Sequence, residues 1–478
     1  MNLLYLTPYF IVVATVLVVL LLDAFSASNT LINIVTVVGL VTSAKFSHTL
    51  FALLNGGSLY VANSMLKIDS ITLIANIAIE WMACIVIIAN MDYVKFMTKK
   101  IGEYYSIFMI AILGMMVMTA STHVLMLYLG LETLSLSLLG LIVFSQNSKS
   151  IEAAMKFFIL NAIASSIVLL GISFLYLATN GCLYIGDIAH MISNNGVNLP
   201  ITTLACLFIL TGVLFKFGVF PFHSWVPDVY EASPYNTVLL VGTISKIAAT
   251  IFAIRFIVFG FYSIIHLWQP IILTFGMFSV AFGNVVALSQ KNIKRILGYS
   301  AIANAGFIVI GFSLGTIAAI GASMFYAIAY ALSLTVALIV LMVMSHKNIE
   351  CENLSQLQGF YKQSKFLAFT FVLAIFSIGG IPPMVGFFAK LGIIQELISN
   401  GWYKYTIALV LLSLIGAFVY LRIIKTIYCM EPTEKPVVYN KPSILVHLML
   451  TKCFFLLIFI SVYPKHILNI VLKALGMF

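Results

Sequence analysis

Fourteen stretches of this chain are each long and apolar enough to cross a lipid bilayer. A helix that spans the hydrocarbon needs about 20 mostly apolar residues. The stretches run over approximately 5–22, 30–50, 69–90, 104–121, 123–145, 150–179, 200–221, 234–258, 269–289, 293–314, 316–345, 366–399, 403–428 and 442–463. They are called segments 1 to 14 below. Segments 4 and 5 are the closest neighbours, with only Ser121-Thr122-His123 between them. Backbone N–H and C=O groups in lipid must be satisfied inside a helix or a closed barrel. These runs are too continuous for the in-and-out alternation of barrel strands. The expected fold class is therefore all-α, a polytopic membrane protein with about 14 transmembrane helices.

Composition agrees. Of 478 residues 62% are hydrophobic and 8% charged, against roughly 25% charged in soluble domains. A cytosolic enzyme and a disordered chain are excluded. The net charge of +10 does not indicate nucleic acid, because no basic stripe is interleaved with surface aromatics. The cations lie mostly in short loops, where they set orientation. Fifteen, among them Lys99, Lys156, Lys294, Arg295, Lys347, Lys435 and Lys441, fall on one side of the membrane. Six, among them Lys67 and Arg255, fall on the other. The richer side reads as cytoplasmic, and an even number of spans puts both termini opposite it. Met1–Leu22 has no basic leader and reads as a first span. Six scattered cysteines form no CxxC or haem motif, so neither metal site nor disulfide frame is expected. No Rossmann or P-loop glycine pattern is present, so cofactor binding is not expected either.

Four cations remain inside spans: Lys216, Lys246, Lys390 and Lys452. Ionisable residues at mid-bilayer are expensive and mark ion pathways by default. Glu132, in segment 5, reads as the one acid placed centrally in a span. Lys216 precedes Gly218 and Pro221 near the end of segment 7. Lys390 follows Gly379-Gly380-Ile381-Pro382-Pro383 in segment 12. Glycine and proline break helices, and a break at membrane depth is tolerated where backbone is buried in protein or lines a wet cavity. Lys246, in segment 8, has no acid at i±3 or i±4. Lys452 has no helix break beside it and reads as reaching an interface or a partner.

The interrupted segments are five apart. Residues 104–258 and 269–428 therefore read as two five-helix units, flanked by an N-terminal region, 1–103, and a C-terminal helix and tail, 429–478. An odd number of helices inverts the second unit, and paired interrupted spans in inverted halves point to a transport site. Glu132, Lys216, Lys246 and Lys390 read as a proton relay. Close to Glu132, the Lys216 ammonium is favoured; parted from it, a desolvated lysine gives up its proton. Hydroxyls would fill the gaps, with Ser245, Tyr299, Tyr326, Tyr330 and Ser333 as candidates. The same residue types also serve ordinary helix packing.

Three motifs in order resemble one family. Segment 7 continues as Lys216-Phe217-Gly218-Val219-Phe220-Pro221-Phe222-His223-Ser224-Trp225-Val226-Pro227-Asp228 and on to Glu231. Gln290–Ser300 with Ala303–Gly306 is the second, and Gly380–Lys390 the third. Together they resemble the proton-conducting membrane transporter family, the antiporter-like subunits of respiratory complex I. The resemblance covers nearly the whole chain. It implies Glu132 as the partner acid of segment 5 and Lys216 as the pump lysine. It implies Lys246 as the central relay and Lys390 as the terminal lysine near an exit. It also implies that NADH, flavin, iron–sulfur clusters and quinone belong to other membrane and peripheral subunits, in a bacterial inner membrane with both termini periplasmic. His223 and Trp225 read as seals outside the span, and Asp228 and Glu231 as capping or partner contacts. A subunit of a multisubunit cation/proton antiporter and a purely structural membrane anchor are the alternatives.

Overall fold

The computed structural model describes residues 2–54, 56–98, 100–194, 196–345, 350–431 and 442–476. Lys99, Lys347, Lys435 and Lys441, counted above for orientation, lie outside the described residues. Thirteen continuous helices in it are long and apolar enough to cross a membrane. Segment 12 is the fourteenth, in two halves, Lys365–Gly379 and Val385–Ser399. The architecture is almost entirely helical, as the apolar runs require. A two-stranded hairpin of Leu59–Val61 and Leu66–Ile68 is the small addition that the sequence did not announce. An extended Ser121-Thr122-His123 separates segment 4, Ile101–Ala120, from segment 5, Val124–Val143. The Thr122 N–H donates to Met65 and its carbonyl accepts from Ile185, which ties this link to the hairpin.

Many helices start where a polar side chain accepts an otherwise orphaned N–H. Asp69 does so for segment 3, Asn147 for segment 6, Asn198 for segment 7, Asn292 for segment 10 and Thr316 for segment 11. Segment 8, Tyr235–Phe259, is buried along its length at the centre of the bundle. Outer helices turn residues such as Phe10, Phe158 and Phe418 outward. Lipid tails are as apolar as leucine, so close packing rather than water exclusion joins such helices. Two glycine crossings accomplish this. Gly114 of segment 4 lies on the backbone of Gly130 in segment 5, and Gly276 of segment 9 on that of Gly306 in segment 10. A Cβ at any of the four would come within about 3 Å of the opposing backbone.

The two predicted breaks have one geometry. Segment 7, Leu199–Phe217, ends at Gly218 with φ +63°. Gly218 N–H donates to Phe215 and Val219 N–H to Leu214. The first half of segment 12 ends at Gly380 with φ +74°. Gly380 N–H donates to Ser377 and Ile381 N–H to Phe376. Both are left-handed glycine caps that satisfy terminal carbonyls. After the first, a short helix, Trp225–Ala232, runs beneath the bundle. Segment 8 is irregular in its own way, with π-helical turns at Leu240–Ile244 and Ile254–Phe259.

Burial corrects three readings of charge. Arg255 does not orient a loop; it is 4% exposed within segment 8 and pairs with Asp69 at 2.6 Å. Its Nε also donates to the Thr119 carbonyl at 2.7 Å, so one guanidinium joins segments 3, 4 and 8. Lys294 is likewise buried, paired with Glu350 and donating to the Ser233 carbonyl at 2.9 Å. The reason is the same for both: each cation has an acid and a carbonyl waiting inside. Third, Glu132 is not alone. Glu80 stands in the middle of segment 3, fully buried.

Removing one partner of a buried ion pair costs about 3–5 kcal/mol. Asp69→Asn is therefore expected to lower the melting temperature of the assembled protein at neutral pH. Burial pushes the Asp69 carboxyl up, but Arg255 and the N–H and hydroxyl of Thr72 hold it below the usual carboxylate value. A depressed carboxyl stabilises above its unfolded pKa, and the contribution is lost as pH falls through the folded one. The gap between wild type and Asp69→Asn should thus close in acid; a gap independent of pH contradicts the pairing.

Candidate functional site

Glu132 of segment 5 and Lys216 of segment 7 each bond a different partner and do not touch. The Lys216 ammonium donates to the Ser135 hydroxyl and, at 3.5 Å, to Asn161 Oδ1 of segment 6. Glu132 instead accepts from the Ser165 hydroxyl, also of segment 6. No ion pair joins acid and lysine among the described residues. Glu132 and Ser135 are one turn apart on one helix face, a Cβ separation of about 5–6 Å. Lys216 is within electrostatic reach of Glu132. The arrangement is a parted pair, with Ser135 holding the ammonium one turn away from the carboxylate.

Lys246 is 1% exposed and rests on the end of segment 7. Its ammonium donates to the Phe217 carbonyl at 2.7 Å and reaches that of Lys216 at 3.4 Å. Phe217 is the last residue before the left-handed Gly218. A helix C-terminus carries about half a negative charge, so the break supplies what an acid would otherwise have to. The Trp225 ring lies 5.9 Å from the same ammonium. Beside Lys216 is a cavity of about 10 Å³, lined also by Trp225, Ser245 and Leu134. That is about the room one water needs.

Lys390 repeats the anchor with a different lysine. Its ammonium donates at 2.6 Å to the carbonyl of Gly379, the last residue before left-handed Gly380. The Phe307 ring is 5.2 Å away. Three of the expected hydroxyls, Tyr326, Tyr330 and Ser333, lie buried in separate polar clusters. Tyr330 adjoins Tyr230. Ser333 and Ser377 share a hydrogen bond of 2.7 Å. Tyr326 donates to Asn304 at 2.7 Å, whose amide donates to Ser300. Ser300 and Tyr420 are 2.6 Å apart.

Tyr299 does not join this group. It turns instead toward Phe282 and Arg295, half-buried near the loop. The reason is helical phase: its neighbour Ser300 has the inward face. Trp225 lies outside the spans, as read, at the start of the short helix. It is 4% exposed, stacked among Phe157 and Phe215, and belongs to the wall of the site. His223 sits against Phe220 and Phe282 in the loop after the break. Asp228 and Glu231 pair with Arg295, and Asp228 also with Lys156, which fastens the short helix to segments 6 and 10. Lys452 lies exposed on the outer face of segment 14, Ile444–Val462. Sequence reasoning missed Ser135, Asn161, Ser165, Ser377 and Tyr420. Each was visible only as a polar residue in an apolar run.

A bundle of fourteen spans with buried lysines seated on broken-helix ends defines a membrane protein that handles cations in its interior. The family described as NADH:quinone oxidoreductase/Mrp antiporter, TM, matches residues 121–416. A Nitrosomonas europaea protein named NADH-quinone oxidoreductase subunit N is 36% identical over 87% of this chain and 86% of its own. A Neisseria gonorrhoeae protein of the same name is 38% identical over 81% of each. A chain of respiratory complex I from Thermus thermophilus superposes with a TM-score of 0.82 at 25% identity, over 97% of this chain and 98% of that one. The chain belongs to the NADH:quinone oxidoreductase/Mrp antiporter transmembrane family.

The Gly379 anchor can be probed from its neighbour. A Cβ at Gly380 would fall 2.6 Å from Lys390 Cδ, and φ +74° is strained for any L residue, by roughly 1–2 kcal/mol. Gly401, at φ +79° with nothing within 4 Å, suffers the strain alone. Gly380→Ala is expected to depress proton translocation in vesicles while Gly401→Ala does not. Equal effects would mean that only backbone strain matters.

Proposed function

We propose that this chain is a proton-translocating membrane subunit of an NADH–quinone oxidoreductase, in the place that subunit N takes in its relatives, and that Glu132, Lys216, Lys246 and Lys390 carry the proton. The observation that carries the reading is the set of buried cations: Lys216 on Ser135 near Glu132, Lys246 on the end of segment 7, and Lys390 on the Gly379 carbonyl. In the parted state Lys216 sits on Ser135. A swing of one turn along segment 5 brings it to Glu132 and favours the ammonium. The return strips that partner away, and the proton passes by Ser245 and one water toward Lys246. The hydroxyls of Tyr330, Ser333 and Tyr326 continue toward Lys390.

The two five-helix units, 104–258 and 269–428, are read as inverted copies. Matching glycine crossings in the first two helices of each, and matching left-handed caps in the fourth, support this. Residues 1–103 and 429–478 flank them. Redox energy is taken to come from other subunits, which would hold NADH, flavin, iron–sulfur clusters and quinone. A bacterial inner membrane with both termini periplasmic suits the charge distribution. The names of the curated relatives favour this reading over a stand-alone antiporter subunit or an inert anchor.

The test is proton stoichiometry in vesicles that contain the whole complex. Glu132→Gln and Lys216→Ala should each assemble, as seen on a native gel, yet lose coupled pumping. Normal proton-to-electron ratios in both would sink the relay.

A further inference from the structure

Glu80 has no part in the relay. It lies in segment 3, Ser70–Met97, outside both five-helix units, and it is fully buried. No cation faces it among the described residues. From segment 2, Ser43 donates to one carboxyl oxygen and Ser47 lies alongside. The other oxygen, Oε2, has no hydrogen-bond partner among the described residues. Tyr9 of segment 1 and Cys84, one turn along segment 3, are the titratable groups within its electrostatic reach. A charge so placed would be costly if it had no role.

On segment 3 the polar groups lie toward the hairpin, while on segment 2 buried Thr36 and Asn33 continue the other way. From Glu80 toward the hairpin, segment 3 presents Asn76, Thr72 and Asp69 at three- and four-residue spacing, all on one face. Each is joined to the next element. Asn76 donates to the Tyr9 hydroxyl at 3.1 Å and accepts from Thr119 at 2.8 Å. Arg255 then bonds the Thr119 carbonyl, the Thr72 hydroxyl and Asp69 at 2.6–2.7 Å. Arg255 in turn lines an open cavity of about 500 Å³ beside the hairpin, together with Lys67, Tyr60 and Thr122. In the other direction the next polar side chain on this face is Asn90. Ten residues of helix, about 15 Å, separate it from Glu80, and the face between is Ala83, Cys84 and Ile87.

We propose that Glu80 is a second proton-binding site, reached from the hairpin face through the line Arg255–Thr119–Asn76–Tyr9. The pairing of Arg255 with Asp69 leaves the mouth of this line close to neutral, so the guanidinium does not bar a proton.

Infrared spectroscopy of the whole complex in lipid tests this through the carboxylic C=O band. Wild type should show a band that Glu80→Gln removes, and that band should shift when D₂O replaces H₂O. Tyr9→Phe and Asn76→Leu each break the line without touching Glu80. Either variant should slow the shift at least about tenfold. Tyr9→Phe removes a single hydroxyl and serves if Asn76→Leu fails to assemble. No band lost in Glu80→Gln overturns the proposal, as does a band that exchanges equally fast in the line variants or never exchanges in wild type. Pumping defects at Glu132 or Lys216 leave this readout unaffected, so the two readings fail separately.

Discussion

An ammonium on the broken end of a helix is the interaction on which the interior depends. Lys246 on the Phe217 carbonyl and Lys390 on the Gly379 carbonyl are the same contact made by lysines from different segments. Partial charge at a helix end, about half a unit, lowers the penalty of burying a cation without adding an acid. That matters for a relay. A full carboxylate beside each lysine would hold its proton firmly, whereas a carbonyl steadies the ammonium and still lets it go. Only Lys216 has an acid in reach, and there a hydroxyl holds the two apart.

The break itself follows from one residue type. Gly218 and Gly380 take up left-handed backbone that other residues avoid. The cap reverses the chain and leaves the final carbonyls pointing into the bundle, where lysines from segments 8 and 12 reach them. Local backbone preference thus determines where cations can be buried.

The spans were legible because length and hydropathy decide what lipid accepts. The breaks were legible because glycine and proline sit beside lysine at 218 and 380. Arg255 and Lys294 were misread because both lie close to the ends of their spans, where a loop and a buried end look alike in sequence. Their acids, Asp69 and Glu350, are distant in the chain, so nothing local revealed the pairing. Glu80 is a different case. Polar residues at 69, 72, 76 and 80 were a readable stripe at helical spacing, overshadowed by the stronger motifs of segments 7 and 12. The partners on segment 6, Asn161 and Ser165, needed the fold, since a serine or asparagine in a long apolar run has no signature of its own.

The glycine crossings bear on how force moves through such a molecule. Where Gly114 meets Gly130 and Gly276 meets Gly306, backbone closely approaches backbone, with Thr133 and Ile310 packed beside the contacts. Segments 4 and 5 then behave as one strut, and segments 9 and 10 as another. Sliding within either strut by one turn, about 5.4 Å, would carry the glycine out of register and drive a side chain into the opposing backbone. The irregular places lie elsewhere, at the helix ends of Gly218 and Gly380 and in the π-helical turns of segment 8. The stiff members of this protein are its longest uncharged contacts, and its joints are where the lysines are.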